Sequence, residues 1–267
     1  MGEVWDGFSA LAEYYDSGFM SFFNFPFAAS DGKIVQVLRA AGNPGIVTTW
    51  ATAQEKADGV YRQHNPDYID APFLSNHDLG RIAGFTGRDP EKTKLAGAMN
   101  LFMGGNAFVY YGEELGMVAG ALDDPSYRAP MVWGGEGTAD PPPGCTLPES
   151  YPFGTLETQR ENPQSVYNYY RQAIAIRNAV PAIARGVPTA ETALNQGCIS
   201  AVRKTWGEER CLVLMNISEE AQTVALTGWG LLAGLSANGE EISLGEEGLY
   251  LPAFGAAVLT ENPSDKG

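Results

Sequence analysis

The chain has 267 residues, 44% hydrophobic and 18% charged, enough apolar material for one large domain or two smaller ones. Its 17 basic against 32 acidic residues give a formal charge of −15, and such a surface repels phosphate backbones and anionic lipid. Nucleic acid and membrane surfaces are therefore not expected as partners, while neutral substrates are allowed.

No apolar run approaches the roughly 18 residues of a membrane span, and the acidic start "MGEVWDGF" has no basic or apolar stretch of a secretion signal. No compartment follows from this. Cys145, Cys198 and Cys211 are odd in number and lack metal-like spacing, so neither a disulfide nor zinc is expected.

Up to about residue 180, short apolar segments alternate with longer helical ones. "GEVW" (2–5), "FMSFFNF" (19–25), "APFLSN" (71–76) and "NAFVYYG" (106–112) read as strands, and unbroken apolar runs of this length predict burial on both faces, as in parallel sheets. Residues 30–64 read as helical with a break at Asn43-Pro44-Gly45. In "GRDPEKTKLAGAMNLFMGG", Asp89 is the predicted N-cap and Pro90 the first helical residue. There Leu95, Ala98, Met99, Phe102 and Met103 form one buried face. "ENPQSVYNYYRQAIAIRNAV" repeats that grammar with Asn162 and Pro163, then Val166, Tyr169, Tyr170, Ala173 and Ile174.

Strand–helix alternation predicts βαβ units and a parallel sheet, of which four strands are visible. Residues 113–161, rich in Gly and Pro and without periodicity, read as a functional or disordered segment. After about Pro181 come short β-rich pieces with turn residues between them, predicting an antiparallel sheet or small sandwich.

Chemistry in parallel α/β folds collects at the carboxyl ends of strands. Glu3 ends the first segment and His77-Asp78 the third, and the two carboxylates lie 75 positions apart with one strand between them. Two βα units span that distance and would put both on one rim. Converging carboxylates suit glycoside cleavage, where one protonates the leaving oxygen and negative charge faces an oxocarbenium-like transition state. Spacing alone makes this a weak signal.

Several stretches together resemble the α-amylase family, glycoside hydrolase family 13. "FLSNHD" is similar to its seventh-strand region, "GEVWD" to the fifth-strand region with the general acid/base, and "FNFPF" to the sixth. "NAFVYYGEELGM" is similar to the eighth strand and following loop, and "SVYNYYRQAIAIRNAVPAIARG" to the last barrel helix and its exit. The resemblance implies an α/β fold. Residues 1–180 would be a partial (β/α)8 TIM barrel holding the fifth to eighth strands, and 181–267 an all-β antiparallel sandwich domain. It also implies that Glu3 is the general acid/base, that Asp78 stabilises the transition state, and that His77 hydrogen-bonds the sugar.

The family's nucleophilic aspartate, on its fourth strand, has no counterpart in this sequence. The chain is thus expected to be the C-terminal half of a retaining enzyme, inactive alone, with an open barrel edge that leaves it unstable or associated. No cofactor is expected here, because the family's calcium would belong to the N-terminal half. The expected partners are an α-glucan or maltooligosaccharide and that other barrel half. Two alternatives remain: a non-catalytic glucan-binding or interaction protein of the same fold, and a transglycosylase of the family.

Other residues have plainer expected fates. Glu113 and Glu114, adjacent and therefore divergent on a helix, read as helix-start charge. Arg81 reads as structural and His64 as a loop or helix-end residue. Trp5, Tyr110 and Tyr111 either pack the core, the more frequent fate of such rings, or line the sugar site, while Tyr127 and Trp133 are the better candidates for exposed sugar contacts.

Overall fold

The structure, a computed structural model, describes residues 1–135 and 138–261. Glu136 and Gly137 of the Gly-Pro run, and residues 262–267, lie outside the described residues.

The α-helices among the described residues are, in chain order, α1 (Phe8–Glu13), α2 (Lys33–Arg39), α3 (Pro44–Val47), α4 (Thr49–His64), α5 (Ile82–Phe85), α6 (Pro90–Leu101), α7 (Asp124–Tyr127), α8 (Leu156–Glu161), α9 (Val166–Ala179) and α10 (Pro181–Arg185). The expected break inside 30–64 is present: Asn43 Oδ1 accepts from Gly45 N, and Pro44 opens α3. At α6, Asp89 Oδ1 accepts from the backbone N–H of Glu91 at 2.8 Å and of Lys92 at 3.0 Å, satisfying donors that a helix start leaves free.

Three helix expectations need correction. The α6 helix is buried from Thr93 to Leu101 on every side, beyond the single face its pattern indicates, because it is packed by α2 and α9 and reaches the C-terminal sheets through Lys94. The cap of α9 is Ser165, whose Oγ accepts from Asn168 N, whereas Asn162 makes a turn onto Gln164 N three residues earlier. Ile174, expected on the buried face of α9, is exposed.

The four apolar segments run parallel in chain order. Gly2 bridges Phe22, and Phe23 bridges Ala71. Asn106 N then donates to Asp70 O and Phe108 N to Pro72 O. Pairing is confined to one or two rungs per neighbour. Burial on both faces is met for residues 71–75 but not for the outer segments, where Glu3, Trp5, Asn106, Phe108 and Tyr111 are exposed. Each outer segment has a single neighbour among the described residues, so one flank stays open to solvent. Gly105 starts the fourth segment with φ +67°, and a Cβ there would sit 2.0 Å from the Asp70 carbonyl oxygen.

The C-terminal strands are β1 (Val187–Ala190), β2 (Ile199–Trp206), β3 (Glu209–Asn216), β4 (Gln222–Val224), β5 (Trp229–Leu235), β6 (Ser243–Gly245), β7 (Gly248–Leu251) and β8 (Ala256–Glu261). All pair antiparallel, in a five-stranded sheet ordered β1-β2-β3-β8-β5 and a three-stranded sheet ordered β4-β7-β6. The β2–β3 register sets Cys211 opposite Lys204, while Cys198 lies beside Ile217, and all three cysteines are free thiols.

Alternation along the strands divides the five-stranded sheet into two faces. Ala201, Leu212, Leu214, Ala257 and Leu259 meet Leu249 and Leu251 of the second sheet, which is the sandwich core. Val202, Cys211, Val213, Met215 and Val258 face the other way and join the same core as Trp50, Tyr61, Leu95 and Tyr170 of the helices. No helix among the described residues is long and apolar enough to cross a membrane.

Candidate functional site

An aromatic chain crosses all four parallel segments. Trp5 stacks on Phe25 at 5.2 Å, Phe25 meets Phe73 edge-on at 5.0 Å, Phe73 meets Phe23 at 5.3 Å, and Phe23 meets Phe108 at 4.9 Å. Val4 packs the opposite way, against the main core. Trp5 and, by the two-residue alternation of extended chain, Glu3 therefore share the face that carries Phe25 and Phe73. Glu3 is exposed there. The segment containing Phe73 runs on, toward its carboxyl end, into Ser75-Asn76-His77-Asp78.

That turn is closed by Asn76, whose Oδ1 accepts from Asp78 N at 2.9 Å. His77 Nε2 lies 3.1 Å from Asp78 Oδ2, and Arg128 Nη2 donates to Asp78 Oδ1 at 2.9 Å. Arg128 Nε also donates to the His77 carbonyl oxygen. The structure thus joins His77 and Asp78 directly. Glu3 makes no hydrogen bond or ion pair with either; its neighbour Trp5 is linked to Phe73 of their segment through Phe25. A carboxylate with imidazole on one oxygen and guanidinium on the other, half open to water, can exchange either partner for a ligand hydroxyl.

Arg128 carries no sequence signal of this role. It ends α7, in the long Gly-Pro-rich segment, 50 residues beyond Asp78. That segment is ordered where described: Leu115, Met117 and Val132 form a small core of their own with Tyr151 and Leu156. Trp133, as expected, is exposed, and Tyr127 is half-buried, with its carbonyl accepting from Arg81.

Three expectations are overturned at this rim. Trp5 is 64% exposed and Tyr111 is also exposed, because the outer segments lack a second neighbour to cover them. Glu113 is no solvated helix-start charge: it is 1% exposed, its Oε2 accepts from Ser75 Oγ at 2.7 Å and its Oε1 from Tyr170 OH at 3.4 Å. Burial pushes its carboxyl up to about 8 against the pull of Ser75 and Arg81. Glu114 is half-buried beside it, also raised by burial.

Arg81 is structural, as expected. It is buried, its guanidinium lies over the rings of Tyr110 and Tyr111, and it donates to the carbonyls of Tyr111 and Tyr127. His64 ends α4 with Nδ1 3.1 Å from Asp16 Oδ1. Among the described residues no three His, Cys, Asp or Glu side chains converge as a metal site would require.

Comparison with known proteins adds independent findings. The model of the alpha amylase catalytic domain matches residues 1–186. Alpha-amylase 3 of Dictyoglomus thermophilum is 34% identical over 189 residues, covering 70% of this chain and 36% of its own length. The trehalose synthase of Thermus thermophilus is 30% identical over 69% of this chain and 20% of itself. Among solved structures, Eubacterium rectale Amy13B superposes with a TM-score of 0.92 and 37% identity, covering 98% of this chain and 52% of that one. The chain spans about half the length of the solved structures it matches, and about a third or less of those two relatives.

Proposed function

Because the chain belongs to the alpha-amylase catalytic-domain family, we propose that it is the part of a retaining glycosidase that carries the acid/base and the transition-state carboxylate. The substrates would be α-glucosidic bonds of starch-like glucans or maltooligosaccharides. In this reading the four parallel segments are the fifth to eighth strands of a (β/α)8 barrel. The domain boundary falls between residues 180 and 181.

Glu3 protonates the glycosidic oxygen as the bond to the anomeric carbon breaks. Asp78 and His77 hydrogen-bond the sugar hydroxyls while positive charge builds on the ring. The carboxylate that takes up the anomeric carbon comes from the polypeptide bearing the first four strands. Glu3, deprotonated by the first step, then takes a proton from a water whose oxygen bonds to the anomeric carbon as the bond to that carboxylate breaks, freeing the sugar and restoring both groups.

The observation carrying this reading is the aromatic chain Trp5–Phe25–Phe73, which ties the Glu3 segment to the one ending in His77-Asp78 on a shared face. The chain by itself should not turn over a chromogenic maltooligosaccharide. Mixed with a polypeptide supplying the first four strands, it should, and Glu3→Gln should lower the restored rate by about 10²–10⁴-fold. Restored cleavage indifferent to Glu3→Gln and Asp78→Asn would refute the assignment. We propose no cofactor for this chain, so dialysis against a chelator should leave its melting temperature unchanged.

Similarity to a trehalose synthase favours one second reading, in which a sugar hydroxyl in place of water attacks the glycosyl intermediate. Chromatography of the products of the restored enzyme separates the two.

A further inference from the structure

Behind the rim lies a buried polar centre that the chemistry above does not use. Glu113 sits at its middle, in a 3-10 turn (Glu113–Leu115) after the fourth segment. The groups facing it come from every neighbouring element: Ser75 from the third segment, Arg81 from the chain after it, Tyr170 from α9, and the adjacent Glu114. Ser75, itself buried, is the first residue of the turn that presents His77 and Asp78. Arg81 Nε holds the carbonyl of Tyr127, the residue before Arg128, and Arg128 holds Asp78. Arg81 Nη2 is buried without a hydrogen-bond partner, and no hydrogen bond or ion pair joins this guanidinium to Glu113 among the described residues.

One arm therefore leads from this carboxyl to Asp78, through Ser75 along the turn. We propose that Glu113 is a positioning residue, which fixes the geometry of His77 and Asp78 from behind by holding Ser75. The proposal rests on the glycosidase reading for the purpose of that geometry, although the coupling stands without it. Gain or loss of the Glu113 proton changes this arm, since a neutral carboxyl holds Ser75 more weakly.

The chain offers a clean readout, because its two histidines, His64 and His77, lie in different surroundings. In ¹H–¹⁵N spectra of the histidine-labelled chain, the His77 ring signals should shift with an inflection near pH 8, where Glu113 titrates. Glu113→Gln should abolish that inflection and displace the His77 signals. Ser75→Ala, which leaves the carboxyl in place and cuts the arm, should shrink it. The His64 signals, against Asp16, should not carry it.

His77 signals that lack the inflection near pH 8 in the native chain refute the proposal whatever the variants do, so the test survives a variant that fails to fold. An inflection near pH 8 that persists in Glu113→Gln refutes it too. Adding maltopentaose to the chain mixed with the polypeptide bearing the first four strands tells the two readings apart. A coupled His77 that ignores the sugar there upholds Glu113 as a positioning residue and refutes the glycosidase reading.

Discussion

Asp78 is gripped from two directions, by the imidazole next to it and by a guanidinium 50 residues away. Both pairs are half-exposed, so each adds little to global stability. The Arg128 contact is nonetheless a tether for the long segment between Glu113 and α8. Arg128→Ala should leave the melting temperature nearly unchanged while releasing up to about 1 kcal/mol of local restraint. Limited proteolysis within 118–150 should then run roughly fivefold faster, and an unchanged rate would show that the small core around Met117 and Val132 holds the segment alone.

Legibility at this scale followed chemistry and chain distance. His77 and Asp78 stand out because one of only two histidines lies beside a carboxylate at the end of an apolar run. Arg128 could not, since nothing periodic links it to position 78. Glu113 was misread because two adjacent acids after a glycine look like solvated turn charge, and only the packing of Ser75, Arg81 and Tyr170 around it shows otherwise.

Among the elements, the contact between α6 and α9 sets the back wall of the rim. Gly97 lies mid-helix against the Tyr170 ring, where an added Cβ would come within 2.4 Å. The helix gives up the propensity of alanine there to let the two axes approach. Gly97→Ala should therefore destabilise by about 1–3 kcal/mol in denaturant melts. It should also disturb the Tyr170–Glu113 hydrogen bond, whereas Gly59→Ala on the exposed side of α4, with open space around it, should be neutral or slightly stabilising.

Helix positions were readable from apolar spacing and from the Asp89-Pro90 start. The cap of α9 was not, because Asn162-Pro163 offers the same residue types as a cap and Ser165 competes three residues later. The parallel segments were readable as apolar runs. Their thin pairing and open flanks were not, because the number of neighbours a strand acquires is a property of the assembled sheet.

For the molecule as a whole, buried titrating groups predict an unusual pH response. Packed surroundings raise Asp70 from 3.8 to about 7 against the pull of Asn24, and burial raises Glu113 from 4.5 to about 8. Between those limits the folded chain holds protons that the unfolded chain has released, so stability falls as pH rises toward 7–8. Lys204, buried in β2 with Nζ 3.2 Å from the Ile183 carbonyl oxygen, is lowered by burial from 10.5 to about 7. Between pH 7 and 10.5 the unfolded chain holds the extra proton, so this group adds stability as pH rises. Melting temperature against pH should show a minimum near 7–8. Lys204→Met should flatten the alkaline rise and stabilise the chain at pH 7 by about 1–3 kcal/mol. A profile with its maximum at pH 7 would contradict the shifts of all three groups.

The five-stranded sheet turns one face to its partner sheet and the other to the helices, where Val202, Cys211, Val213 and Met215 share a core with Trp50 and Tyr61. The β-rich part is thus no detachable appendage, although the matched family region stops at residue 186. Exchanging it for the equivalent piece of a relative would join two surfaces shaped for other companions. Successful chimeras should need the helical residues beneath the seam transplanted along with it, and natural drift across that seam should proceed by paired replacements.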